Sequence, residues 1–278
     1  MTTVVRASYL SEYPDCPRRV AAKVFTKEIQ DAGYGLRNTI QGVAAAIGTA
    51  VHRGAATILA EKASTGKMPP GMTGLDAARD RLRELAQDGI AYDTLSPRLN
   101  DAEKAALRMV VVYRDELAPW IDPIAVEQRL EAEVEPGLVL SGQSDVIARE
   151  PKAVRDLKSG KAMAPGNHRP QLGSYSLLAR AHGIDIELAR IDYIRRVSAR
   201  MDQPPPITET LDVHEIETAA THVLMAMASD IDSFRHGSPT RGIEPADPWA
   251  FLANPNSRLC SPDFCKAHST DFCKEWKK

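Results

Sequence analysis

Residues 138–160, LVLSGQSDVIAREPKAVRDLKSG, decide the fold. Apolar and β-branched residues fill 138–148 and again 153–158, and the turn between them, 149–152, contains Pro151, so the stretch reads as two strands joined by a tight connection. Upstream, Glu135-Pro136-Gly137 is another turn signal, and residues 125–134 before it have the composition of a further strand. The three strands are expected to form a meander. Within it, the strand period of two points Asp156 and Lys158 to one face, while Asp145 closes the neighbouring strand.

Working outward, the pattern turns helical on the N-terminal side. Pro17 suits a first helical position and introduces a helix over 18–27. Ile47, Val51, Ala55, Ile58 and Leu59 recur at helical spacing and predict a helix over 43–62 that ends near Gly66. Residues 75–87 and 101–117 repeat the pattern. On the C-terminal side a helix over 171–182 is stopped by Gly183, and a strand follows over 186–197. The Pro204–Pro206 run marks a loop before a short strand at 207–211 and a helix over 213–234. The expected fold class is α/β, a mixed central sheet flanked by helices. One folded unit is expected: a mainly helical region over 1–120, an αβ core over 121–236, and a Pro-rich, cysteine-bearing tail over 237–278.

The chain has 278 residues, 43% hydrophobic and 26% charged, the composition of a folded soluble protein rather than a disordered one. Its most apolar stretch is interrupted by Gly48, His52 and Arg53, and residues 1–10 lack a secretory pattern, so a cytoplasmic protein with no membrane association is expected. A net charge of −2 supplies no global attraction to nucleic acid. Any such attraction must be local, and the basic candidates are Arg18–Arg19–Lys23, Lys158–Lys161–Arg169 and Arg195–Arg196–Arg200.

Hydrolysing a phosphodiester calls for a hard divalent cation held by oxygen ligands. Asp145 and Asp156 on adjacent strands are placed to share one Mg²⁺ or Mn²⁺, and the backbone carbonyl of Leu157 offers a third oxygen. Lys158 beside them can orient a water or stabilise charge developing at phosphorus. Asp-x-Lys alone is a short motif and equally suits an exposed charged strand face, so order and context matter. From spacing alone, His52 also reads as a histidine satisfied by a neighbour, and Glu127 as part of an acid-rich strand with Glu131, Glu133 and Glu135.

Taken together, Gly48-x-x-x-His52, Glu127, Gly142-x-x-Asp145, Asp156-x-Lys158 and Gln171-x-x-x-Tyr175 resemble the RecB-type branch of the PD-(D/E)xK nuclease superfamily, over most of the chain. The resemblance implies a restriction-endonuclease-like core, with Asp145 and Asp156 as carboxylate ligands, His52 as an extra metal ligand, Glu127 as an accessory ligand and Lys158 as the catalytic lysine. Gln171 and Tyr175 would line the site and contact DNA; from the basic clusters, Arg18, Arg19 and Lys161 are added as expected DNA contacts. The implied activity is a metal-dependent DNA exonuclease acting on single strands or duplex ends in recombination, repair or phage DNA processing. A nuclease of CRISPR adaptation shares that chemistry and differs in partners, which would be recombination, helicase or CRISPR-adaptation proteins. A non-catalytic module that binds DNA ends is the alternative from another class.

The chain has four cysteines, Cys16 near the start and Cys260, Cys265 and Cys273 in the tail. In a protein expected inside the cell this pattern suggests a metal site rather than disulfides, either a [4Fe–4S] cluster or a structural Zn²⁺, with four unrelated thiols as the alternative. The resemblance favours iron–sulfur, because one branch of these nucleases sets one cysteine before the core and three after it. The C-terminal spacing here is looser than in those relatives. Such a group would staple the two ends of the chain together.

Overall fold

The computed structural model describes residues 3–161, 167–198 and 200–275. The chain opens with β1 (Thr3–Arg6), α1 (Ala7–Leu10), α2 (Pro17–Val24) and α3 (Thr26–Asp31). A short strand β2 (Gln41–Gly42) leads into the long helix α4 (Val43–Thr65), followed by α5 (Thr73–Gln87), β3 (Ile90–Ala91) and α6 (Leu99–Val112). Strands β4 (Pro123–Val126), β5 (Arg129–Glu135), β6 (Leu138–Gln143), β7 (Val146–Ala148) and β8 (Ala153–Gly160) come next. Helix α7 (Arg169–Ala181), β9 (Leu188–Arg195), β10 (Ile207–Asp212) and α8 (Val213–His236) follow, and the described tail residues after them form short 3₁₀ turns and isolated β-bridges.

A five-stranded sheet has the order β10-β9-β8-β7-β4, with β8 and β9 parallel and the other pairs antiparallel. It is a mixed sheet flanked by helices, in agreement with the expected class. Its two faces are covered differently. Leu157, Val146 and Ile194 pack under α4, α5 and α6, whereas Val154, Ile191 and Ala189 pack against Leu172, Tyr175 and Leu178 of α7 and Ile216 and Leu224 of α8. The α7–α8 contact is close because Gly173 has no side chain: a Cβ there would lie 1.9 Å from the carbonyl oxygen of Ile216.

The expected meander pairing forms, but its first two strands are split between two sheets. The upstream stretch breaks at Glu127, which takes a left-handed φ of 50°, and the 138–148 stretch breaks between Gln143 and Val146. The outer halves, β5 and β6, join β1 in a separate three-stranded sheet, and the inner halves, β4 and β7, pair in the main sheet beside β8. The two breaks lie side by side, tied by the Glu127 N–H donating to the Asp145 carbonyl oxygen at 3.0 Å. The reason is geometric: the two breaks together let the hairpin leave one sheet and enter another without losing backbone pairing.

Two helices also differ from expectation. The first breaks at Phe25 into α2 and α3, and the 101–117 pattern ends in a π-helical turn at Tyr113–Leu117. Helix α4 ends as anticipated, on Gly66 in the left-handed conformation (φ 70°). By length and composition α4 is apolar enough to cross a membrane, with a mean hydropathy of 1.3 over its most apolar window, so its polar interruptions count for less than expected. Half of that window is buried within the fold, against α5, α6 and the sheet.

The two ends of the chain meet. Ala21, Phe25 and Ile29 pack with Phe234, Phe251 and Phe272 in a third apolar cluster that also takes in Cys265 and Cys273. Arg18 and Arg19, expected at a DNA surface, are instead buried beneath the tail. The Arg18 guanidinium donates to the Phe251 carbonyl oxygen at 3.0 Å, pairs with Glu275 and lies 5.0 Å over the Trp249 ring, while Arg19 donates to Asp15 at 2.6 Å and to Ser257 at 2.9 Å. Guanidinium groups suit this task because their fixed forks hold several backbone and carboxylate oxygens at once.

Candidate active site

The site forms where β7 stops and β8 runs on. The β7–β8 pairing ends at Val146 opposite Arg155, so the next residues of β8 have no strand beside them on that edge. Asp145, at the break before β7, fills the gap. Its Oδ2 accepts the Leu157 N–H at 2.6 Å, and its Oδ1 lies 2.9 Å from His52 Nδ1. Because a strand residue points its N–H and C=O toward the same neighbour, the Leu157 carbonyl also faces this gap.

His52 reaches the gap from α4, and Gly48 one turn earlier makes the approach tight: a Cβ there would lie 3.1 Å from Ser159 Oγ on β8. Glu127 reaches it from the left-handed break, its Oε2 accepting from the Gln143 side-chain amide. One ligand atom each from His52, Glu127 and Asp145 lies within 4.8 Å of the others, a grouping able to hold a metal ion. A left-handed backbone at a non-glycine residue costs of order 1 kcal/mol, and here it delivers a carboxylate to the site.

Asp156 and Lys158 share one face of β8, as the period of two requires. Lys158 Nζ lies 2.7 Å from Asp156 Oδ2 and donates to Gln171 Oε1 at 3.0 Å. Gln171 in turn donates to Asp156 Oδ1 at 3.3 Å and to the Tyr175 hydroxyl at 2.8 Å. Gln171 and Tyr175 are both buried, and Gln171 links Lys158, Asp156 and the Tyr175 hydroxyl.

The electrostatics are those of a cation site. Burial pulls the His52 pKa down, but the charge and hydrogen bond of Asp145 and the charge of Asp156 outweigh it and raise it to about 9. Asp145 is half-buried, which pushes its carboxyl up, yet His52, the Leu157 N–H and Lys158 hold it below the usual range. Asp156 goes the other way: burial and the nearby Asp145 charge push it up despite Lys158. Its buried Oδ2 meets the Lys158 ammonium at 2.7 Å. Glu127 is also raised, by burial and then by Asp145. Two carboxylates and a histidine grouped within 4.8 Å, with the Asp156 carboxyl near enough to feel the Asp145 charge, fit a hard divalent cation.

The groove in front of His52, Glu127 and Asp145 has a volume of about 620 Å³ and is walled by α4. It contains two cations that the sequence reading passed over, Arg53 and Arg81. The signal for Arg53 was present, because residues 45, 48, 49, 52, 53 and 56 form one helical stripe. His168 was also overlooked: it packs against Tyr193 with ring centroids 6.4 Å apart, and burial, then Lys158, lowers its pKa to about 4. Lys161 is exposed just past β8. In the third basic cluster, Arg196 is buried against Asp93 and the Ser96 hydroxyl.

The four cysteines are brought together, 244 or more residues apart in sequence for Cys16 and the tail. Cys16, Cys260, Cys265 and Cys273 line one small pocket with His268, and none forms a disulfide. Cys16 Sγ accepts the Asn254 N–H at 3.4 Å. Burial raises the Cys265 thiol, and neighbouring Cys16 and Cys273 add to the shift; burial also raises Cys273, against the Arg18 charge. Buried thiols gathered without a disulfide suit a cationic group that would keep them as thiolates.

With this geometry in view, comparison with known proteins places the chain in a family. The PD-(D/E)XK nuclease superfamily model matches residues 7–270, and the chain belongs to that superfamily. It is thus a nuclease by family and by fold. The structure of an exonuclease candidate from Eubacterium rectale superposes with a TM-score of 0.55 at 13% identity, covering 84% of this chain and 82% of that one, a likeness of fold. A phage-related exonuclease from Haemophilus somnus 129PT is 15% identical over 70% of this chain and 96% of its own, but with a TM-score of 0.27 it adds nothing to the fold assignment. Among curated proteins, none matches the chain significantly.

Proposed function

We propose that the protein is a metal-dependent DNA exonuclease that hydrolyses phosphodiester bonds in single strands or at DNA ends, acting in the cytoplasm in recombination, repair or phage DNA processing. The observation that carries this reading is the grouping of His52, Glu127 and Asp145 within 4.8 Å of one another, with the Asp156–Lys158 ion pair on the neighbouring stretch of β8. Asp145, Asp156, His52 and the Leu157 carbonyl are the ligand set for one Mg²⁺ or Mn²⁺, with Glu127 as accessory ligand. Bound there, the cation would polarise the phosphate and lower the pKa of an attacking water.

The remaining work belongs to the chain. Lys158, kept as an ammonium by Asp156, then by Asp145, against the pull of burial, donates to the phosphoryl oxygens as negative charge builds on them. Gln171 and Tyr175 fix the Lys158 and Asp156 side chains, so little reorganisation is needed when the substrate arrives. Lys161, exposed beyond β8, is a candidate contact to the DNA backbone. Cys16, Cys260, Cys265 and Cys273 would hold a [4Fe–4S] cluster, with structural Zn²⁺ as the alternative occupant, and such a group would tie the tail to Cys16.

The test uses protein purified anaerobically and iron-replete. Linear and circular DNA, single- and double-stranded, are incubated with Mg²⁺ or Mn²⁺, beside Asp156→Asn and Lys158→Ala. Release of nucleotides from linear DNA, lost in both variants, is the expected result; no cleavage of any DNA with either metal overturns the reading. An absorption spectrum with iron and zinc analysis decides the tail group separately.

A further inference from the structure

The wall of the groove formed by α4 is an ordered surface. Ala45, Gly48, Thr49 and Ala56 give it a low-relief floor, His52 stands at its metal end, and Arg53 borders the same face. Arg53 is exposed, and among the described residues no carboxylate pairs with its guanidinium, whereas most arginines of this protein are engaged by acids or carbonyls. Arg81 enters the groove from α5. That helix runs antiparallel to α4, with Gly74 beside Ile58 and Ala78 beside Gly54, and the backbones approach so closely that a Cβ on Gly54 would lie 2.7 Å from the Gly74 carbonyl oxygen. The close packing carries Arg81 two turns further along, level with the groove. Among the described residues its one acid partner is Glu84 on its own helix, an exposed pair of the kind that contributes little.

On the nuclease reading of this groove, we propose that Arg53 and Arg81 are phosphate-positioning residues that grip a backbone phosphate next to the one being cleaved. The substrate class is therefore a polynucleotide with at least one phosphate beyond the scissile bond, laid along α4, rather than an isolated phosphodiester. Three features argue for it. The chain's net charge of −2 means that attraction to phosphate must be local. The groove's metal end is lined by Asp145 and Glu127, whose charge a bound metal would offset, so attraction for phosphates beyond the scissile one must come from other cations in the groove. Guanidinium forks match phosphate oxygens, and the small-residue floor leaves room for a sugar–phosphate backbone to lie against the helix.

The experiment separates this proposal from the nuclease reading by measuring binding without turnover. Binding of fluorescent dT20 is followed by anisotropy with Mg²⁺ in a Lys158→Ala background, across a salt series. Arg53→Ala and Arg81→Ala are each expected to weaken binding about 5- to 20-fold and to reduce the log–log salt slope by about 0.7 per lost contact. Arg53→Lys should retain most of the slope, because the charge remains, while Arg79→Ala, on α5 outside the groove, should bind like the parent. Both positions are solvent-accessible, and a thermal melt of each variant checks that the fold is kept. Parent-like affinity and slope in both alanine variants would overturn the proposal, as would a parent that does not bind dT20 at all. Failure of the wild-type protein to cleave DNA would instead strike at the nuclease reading.

Discussion

If the proton on His52 occupies the place of the metal, metal binding must expel it. The His52 Nδ1 to Asp145 Oδ1 contact of 2.9 Å is a hydrogen-bonded ion pair whose proton lies between two of the ligand atoms, and the His52 pKa of about 9 measures how firmly it is held. With that value, about 1% of the metal-free protein carries a neutral His52 at pH 7 and about 10% at pH 8, so apparent Mn²⁺ affinity should rise about tenfold per pH unit over this range. Protons on Asp156 and Glu127, both pushed up, add to the release toward lower pH. Isothermal titration calorimetry at pH 6.5, 7.5 and 8.5, repeated in two buffers of different ionisation enthalpy, reads affinity and proton release together. His52→Ala should bind Mn²⁺ more weakly, with a much flatter dependence. The same shift has a stability consequence: a histidine raised from 6.5 to about 9 stabilises the metal-free fold fully below pH 6.5, and that contribution, about 3 kcal/mol at most, is lost as pH rises through 9. An affinity that does not change between pH 6.5 and 8.5, with heats independent of the buffer, would refute the ligand assignment of His52.

Gly173→Ala should destabilise the fold by about 2–4 kcal/mol, since backbone on α8 must move to admit a methyl group; a chemical melt within error of the parent would contradict the packing described. Lys158→Ala is expected to lower kcat by about 10²–10³-fold while preserving Mn²⁺ binding in calorimetry. Cys16→Ser should reduce the bound iron or zinc measured by metal analysis and lower the melting temperature. Arg18→Ala should also lower the melting temperature, through the lost grip on Phe251 and Glu275, and leave DNA affinity at the parent value in a filter-binding assay, because the residue lies under the tail.

The elements that were legible in the sequence are those whose signal is local. Helix α4 has a long apolar period and a glycine stop, and Asp156 and Lys158 need only the strand period to share a face. What could not be read is what depends on partners distant in the chain. Residues 125–134 look like one strand because nothing in their composition marks Glu127 as left-handed; the break exists because the facing strand breaks opposite it at Asp145. Arg18 and Arg19 look like a basic surface patch because their partners, Phe251, Glu275 and Ser257, lie more than two hundred residues away. Arg53 was visible in composition but anonymous until α5 placed Arg81 beside it.

The charge balance of the site explains why its parts are found where they are. Without a metal, the ammonium of Lys158 and the protonated His52 face three carboxyl groups, and burial has already raised two of the three so that they hold protons more readily. Every one of these protons lies where a cation would do more. A single divalent ion replacing the His52 proton lets Glu127, Asp145 and Asp156 ionise together while Lys158 stays charged, leaving the centre close to neutral. A neutral centre no longer repels a phosphodiester, and the arginines on the groove wall then set which way the strand lies. On this logic Asp156→Asn should do two separable things: weaken the metal, by removing a buried anion, and loosen Lys158, by removing its ion-pair partner. Raising the Mn²⁺ concentration until the site is filled should therefore restore only part of the lost rate. Full rescue by saturating Mn²⁺ would show that Asp156 acts through the metal alone and that its pairing with Lys158 has no part in the chemistry.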